Sequence, residues 1–173
     1  MSYDLHLFRP QPGVDPAVSA KESVADWRGE SNPGPMLEEK EEAKRRLAAA
    51  LMSHNPALEP FAFDPRALAK LDNVSEQEAG RRYRHIELSD HDRGIQIVLY
   101  DDRVAVHLAY GQDAAATMSA LGGLFDYLRI LERDGGYTTF DPQLDRVLDL
   151  QSDLEPVLGA YRSAVPTGRS SAP

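Results

Sequence analysis

The chain has 173 residues, 42% hydrophobic and 27% charged, with 28 acidic residues against 19 basic ones and no cysteine. A chain of this length buries roughly 68–70% of its unfolded surface, enough for one core. The formal charge of −9 weighs against a nucleic-acid backbone or an anionic membrane as the main partner, and the absence of cysteine excludes disulfides, thiolate metal sites and cysteine nucleophiles.

Tyr3, Leu5 and Leu7 alternate with Asp4 and His6, a period of two that predicts a strand. The prolines after Arg9 end it. Asp15-Pro16 opens a helix, Asp as cap and Pro at the first position, running to Trp27 or Arg28 and breaking at Gly29. Residues 36–54 form an amphipathic helix with Leu47 and Leu51 on one face. Its charges pair as Glu41–Arg45 and Glu42–Arg46, which reads as a solvated face. Asp64-Pro65 opens a short helix, and Ser75-Glu76-Gln77-Glu78 has the form of a capping box for another.

The central region predicts three antiparallel strands, carrying Ile86 and Leu88, then Ile95, Ile97 and Leu99, then Val104, Val106 and Leu108. Asp90-His91-Asp92-Arg93-Gly94 and Asp101-Asp102 read as the turns between them, with wet carboxylates of ordinary pKa on the second. Asp113 caps a helix over about 114–133, whose Leu121, Leu124, Phe125, Leu128 and Leu131 form the stripe of a helix lying on a sheet. Gly122-Gly123 fit a close approach, and Gly135-Gly136 end the helix. Tyr137-Thr138-Thr139-Phe140 predicts a further strand. Two readings stand for 141–150: a helix from Asp141-Pro142, or a hairpin that turns at Leu144-Asp145 and returns at Arg146–Leu150. The hairpin is favoured, because Ser152-Asp153-Leu154-Glu155 offers a capping box for a separate last helix ending near Ser163. The sum is an α+β domain over 1–165, a mostly antiparallel sheet of four to six strands with a long helix packed on it and additional N-terminal helices. Residues 166–173 read as a disordered tail.

The opening Met1-Ser2-Tyr3-Asp4-Leu5 and the segment Tyr137-Thr138-Thr139-Phe140-Asp141-Pro142-Gln143 resemble small uncharacterised bacterial proteins that start with such a strand and carry an aromatic-Asp-Pro-Gln hairpin near the end. Some of these look like immunity proteins, which bind and neutralise a cognate toxin in the cytoplasm. Where that pattern has a Thr-Gly turn, this chain has Leu144-Asp145.

No catalytic residues, cofactor motif or metal-ligand spacing stand out. The first expectation is therefore a cytoplasmic, non-enzymatic protein-binding module of the immunity type, with no membrane span and no secretory signal. Its partner would be a basic protein such as a toxin, met by the acidic residues Asp145, Asp149, Asp153 and Glu155. Arg81-Arg82-Tyr83-Arg84, the basic cluster, reads as intramolecular or protein-facing. A second expectation is a small-ligand or enzymatic domain using His6, His107 and Tyr110 around a sheet face. A third is an oligomeric structural module with Tyr100, Trp27 or Phe61 in an exposed patch.

Overall fold

The computed structural model describes residues 2–25, 35–110 and 113–164. Trp27, Arg28, Gly29, Gly111-Gln112 and the tail 166–173 lie outside the described residues. The chain runs β1 (Ser2–Phe8), α1 (Pro16–Ala25), α2 (Glu38–His54), β2 (Glu59–Phe61), α3 (Pro65–Asp72), α4 (Glu76–Arg82), β3 (Ile86–Asp90), β4 (Ile95–Leu99), β5 (Arg103–Ala109), α5 (Ala114–Gly135), β6 (Thr138–Asp141), β7 (Arg146–Val147) and α6 (Leu154–Ala164). The fold is α+β. Its sheet has seven strands in the order β2-β3-β4-β5-β1-β6-β7, every neighbouring pair antiparallel. The strand beyond the expected six is β2, three exposed residues around Pro60, too short to show any alternation.

Period-two patterning assigns the faces. Leu5 lies opposite Val106, which lies opposite Ile97, which lies opposite Leu88. These residues are buried beneath α2, α5 and α6, whose Leu47, Leu51, Leu121, Leu124, Leu128, Val157 and Tyr161 complete the main core. Each such side chain contributes about 1.5–3 kcal/mol of burial. The second face carries Asp4, His6, Phe8, Gln96, Val98, Ala105 and His107. Helix α1 covers it only at the β1-β6-β7 side, where Ala20 and Val24 pack on Phe8, Phe140 and Val147.

Local signals act as their chemistry demands. Asp15 accepts from Ala17 N at 2.7 Å, Asp64 from Arg66 N at 2.9 Å, Ser75 Oγ from Glu78 N at 3.1 Å and Asp113 from Ala116 N at 2.8 Å. Gly136 closes α5 in the left-handed region at φ +66°. A Cβ on Gly123 would come within 2.7 Å of Arg93 Cδ, so the close approach here admits an arginine side chain from the β3–β4 turn. Residues 141–150 form the hairpin, with Asp145 at φ +50° and β7 limited to Arg146–Val147.

Three expectations are corrected. The face of α2 is not wholly solvated. Lys44 is 2% exposed and donates to Glu41 (2.8 Å), Asp101 (2.8 Å) and the Arg84 carbonyl (2.9 Å). Arg45 reaches Glu38 at 2.5 Å, not Glu41. Asp101 is therefore no wet hairpin tip: burial works to raise its pKa, and the bonds from Lys44 and Arg84 outweigh burial and hold it below the usual range. The Ser152 capping box does not form. Asp153 Oδ2 instead accepts from Asp149 N at 2.7 Å, while Ser152 Oγ donates to Asp149 at 2.9 Å.

Candidate functional site

Where neither α1 nor any other described helix covers it, the second face forms a trough of about 210 Å³. Strand register explains its polarity. Asp4 of β1 lies opposite His107 of β5, and His107 lies opposite Gln96 of β4. Glu87 of β3 lies opposite Val98, which lies opposite Ala105, which lies opposite His6. The small Val98 and Ala105 leave the depression between these polar side chains, and His85 and Tyr100 line its remaining wall.

His107 Nδ1 lies 2.7 Å from Asp4 Oδ1. A carboxylate only accepts, so Nδ1 carries the proton, and in the neutral ring Nε2 is left as an acceptor. Burial pushes the Asp4 carboxyl up, but hydrogen bonds from His107 and from Ser2 (2.6 Å) outweigh it and hold the group below its ordinary range. Gln96 Nε2 donates to Glu87 Oε1 at 2.5 Å. Burial lowers the pKa of His6, with His107 and Arg103 adding to the effect and Asp4 opposing it. Burial also depresses His85, to about 4, helped by the charge of Lys44. His85 is 8% exposed, and its Nδ1 has no hydrogen-bond partner among the described residues. Its ring instead meets Phe63 edge-on at 4.4 Å and Tyr100 at 5.2 Å.

Of the histidine-pocket residues read from the sequence, His6 and His107 line this trough together. Tyr110 lies elsewhere: in phase with Leu108, it stacks on Tyr161 at 5.1 Å beside the main core. Of the acidic residues near the end, Asp145, Asp149 and Glu155 are exposed and Asp153 is not. Asp153 is 8% exposed and pairs with Arg146. Asp145 pairs with Lys21 at 3.0 Å across solvent. Asp149 is exposed but accepts from Gln151 N at 2.9 Å, and Glu155 is exposed on the first turn of α6. The basic cluster is engaged internally: Arg81 and Arg82 bond Glu78, Tyr83 bonds Asp72 and Arg84 bonds Asp101. Of the candidate patch residues, Tyr100 is 4% exposed and Phe61 58%.

Asp4, His85, Glu87 and Gln96 were not singled out by sequence reasoning. Alternation alone marks Asp4, Glu87 and Gln96 as second-face residues. What assembles them is the placement of β1 beside β5, which no local pattern encodes.

The first strand and the late hairpin meet in space. Tyr3 Oη donates to Asp141 Oδ2, both residues being 0% exposed. Asp141 Oδ1 accepts from Gln143 N at 2.8 Å and Leu144 N at 3.1 Å. The Gln143 amide also reaches Asp141 Oδ1 and the Asp4 carbonyl at 2.9 and 3.0 Å, positions that suit its nitrogen. Compared with protein-family models, curated proteins and solved structures, the chain matches none. Among the described residues, no group of three His, Asp or Glu is placed to hold a metal ion, and no helix is long and apolar enough to cross a membrane.

Proposed function

We propose that this chain is a binding protein that covers a site on a basic partner, in the manner of a cytoplasmic immunity protein neutralising a toxin. The observation that carries the reading is the second face of the sheet, half covered by the described residues, a concave surface bearing Asp4, Glu87 and Gln96 on a chain of net charge −9. Such a field draws in a cationic partner, and the concave centre holds what arrives. The resemblance of the two contacting segments, around Tyr3 and Asp141, supports the same class. The test is isolation of the tagged chain from its native host, followed by a growth assay with the recovered partner. The expected result is a stoichiometric basic protein whose toxicity the chain abolishes. Recovery of the chain alone across several growth states overturns the reading.

A second reading, a small-ligand or enzymatic domain, is favoured by one specific observation. The Asp4–His107 bond leaves Nε2 of the neutral ring as a proton acceptor in a concave site. Among the described residues, no hydroxyl nucleophile lines the trough besides the phenol of Tyr100. A metabolite that co-purifies with the chain and is lost on His107→Gln supports this reading over the first.

A further inference from the structure

The trough has a surplus of hydrogen-bond acceptors. Asp4 and Glu87 are carboxylates, and each has an oxygen beyond the one bonded to His107 or Gln96. The Gln96 amide spends a donor on Glu87, so its carbonyl oxygen remains to accept. With Nδ1 committed to Asp4, the His107 ring presents Nε2. His85 forms part of the wall, its Nδ1 closed off from solvent. It is a polar ring 8% exposed, lining the trough, with Nδ1 unpartnered among the described residues. Among the described residues no lysine or arginine lines the depression; Arg103, on the same face, lays its guanidinium 4.9 Å from the Tyr100 ring centroid.

We infer that this trough is the anchor pocket for an arginine side chain of the partner protein, its guanidinium bonding Asp4 beside the His107 ring, with Glu87 adding negative charge from the far wall. A planar cation with five N–H donors and no acceptor matches a site rich in acceptors, and the 210 Å³ volume suits one such head group, not a large metabolite. The inference rests on the proposed binding function and names the surface that performs it. It moves the centre of recognition from Asp149 and Glu155 to the open sheet.

The test uses the whole chain and NMR of its histidine ring nitrogens, titrated with the peptide Ac-Gly-Arg-Gly-amide, with the same peptide carrying citrulline, and with free arginine. The expected result is a saturable shift of the His107 and His6 rings by the arginine peptide and none by the isosteric, uncharged citrulline peptide. Asp4→Asn combined with Glu87→Gln weakens arginine-peptide binding about tenfold or more, since charged hydrogen bonds are lost. Equal binding of the citrulline peptide, or unmoved ring signals, overturns the inference even if the double variant fails to fold. Tighter binding of free arginine than of the peptide assigns the trough to a metabolite and also overturns it. A partner from the native host that binds the double variant as tightly as the parent chain overturns the inference while leaving the proposed function standing. Failure to recover any partner overturns the proposed function, whereas charge-dependent peptide binding still supports the chemistry of the pocket.

Discussion

Lys44 shows how much one side chain carries in this molecule. Its ammonium joins α2 to the β4–β5 turn through Asp101 and to the entry of β3 through the Arg84 carbonyl. Removing one partner from a buried ion cluster leaves uncompensated charge, which costs about 3–5 kcal/mol. Lys44→Ala is expected to lose stability on that scale in urea unfolding, because Glu41 and Asp101 then lose the ammonium that they share and keep Arg84. Arg81, 53% exposed and bonded to Glu78, is a control whose alanine variant leaves the urea midpoint close to that of the parent chain. His85 makes the protein sensitive to acid. Its folded pKa of about 4 lies below the ordinary 6.5, so between those values the unfolded chain binds a proton that the native one refuses. Stability is therefore full above pH 6.5 and falls as pH drops toward 4, by on the order of 3 kcal/mol from this group. Urea unfolding at a series of pH values checks it. His85→Phe, which keeps the ring against Phe63 and Tyr100, is expected to flatten that part of the profile.

At the level of elements, the long helix and the late hairpin depend on single positions. Asp113→Ala removes the side-chain acceptor of Ala116 N and is expected to cost about 1 kcal/mol. Asp145 holds a left-handed conformation that glycine adopts without penalty. Asp145→Gly is expected to raise stability by about 0.5 kcal/mol, since the solvent-exposed Lys21 pair it loses contributes little. Thermal unfolding of both variants decides. These elements were legible in the sequence because their signals are local: a capping aspartate, an i, i+3, i+4 leucine stripe, a paired glycine stop. The α2 face was misread because Glu41 and Arg45 are correctly spaced for each other, yet Glu41 is drawn inward by Lys44 and Arg84. A long-range ion cluster overrode a local preference.

For the whole molecule, the alternation of β1, β3, β4 and β5 told which residues share a face but not which strands are neighbours. The trough depends on the second fact. His6 and His107 were legible as second-face residues, whereas their company with Glu87 and Gln96 comes from the strand order β3-β4-β5-β1. Charge separates two roles in any encounter with a basic partner. Neutralising exposed Asp149 and Glu155 is expected to slow association at low salt and leave dissociation unchanged, while Asp4→Asn with Glu87→Gln speeds dissociation. Stopped-flow binding at two ionic strengths distinguishes them.

The place of β1 has a kinetic consequence. This strand, near residue 1, is wedged between β5 and β6, and Tyr3 is latched to Asp141. A growing polypeptide on the ribosome thus holds this ribbon without a companion until about a hundred further residues have been made, and without its second until about thirty more. Such distant pairing makes assembly of the sheet late and slow, and leaves the nascent chain reliant on shielding by chaperones in the interval.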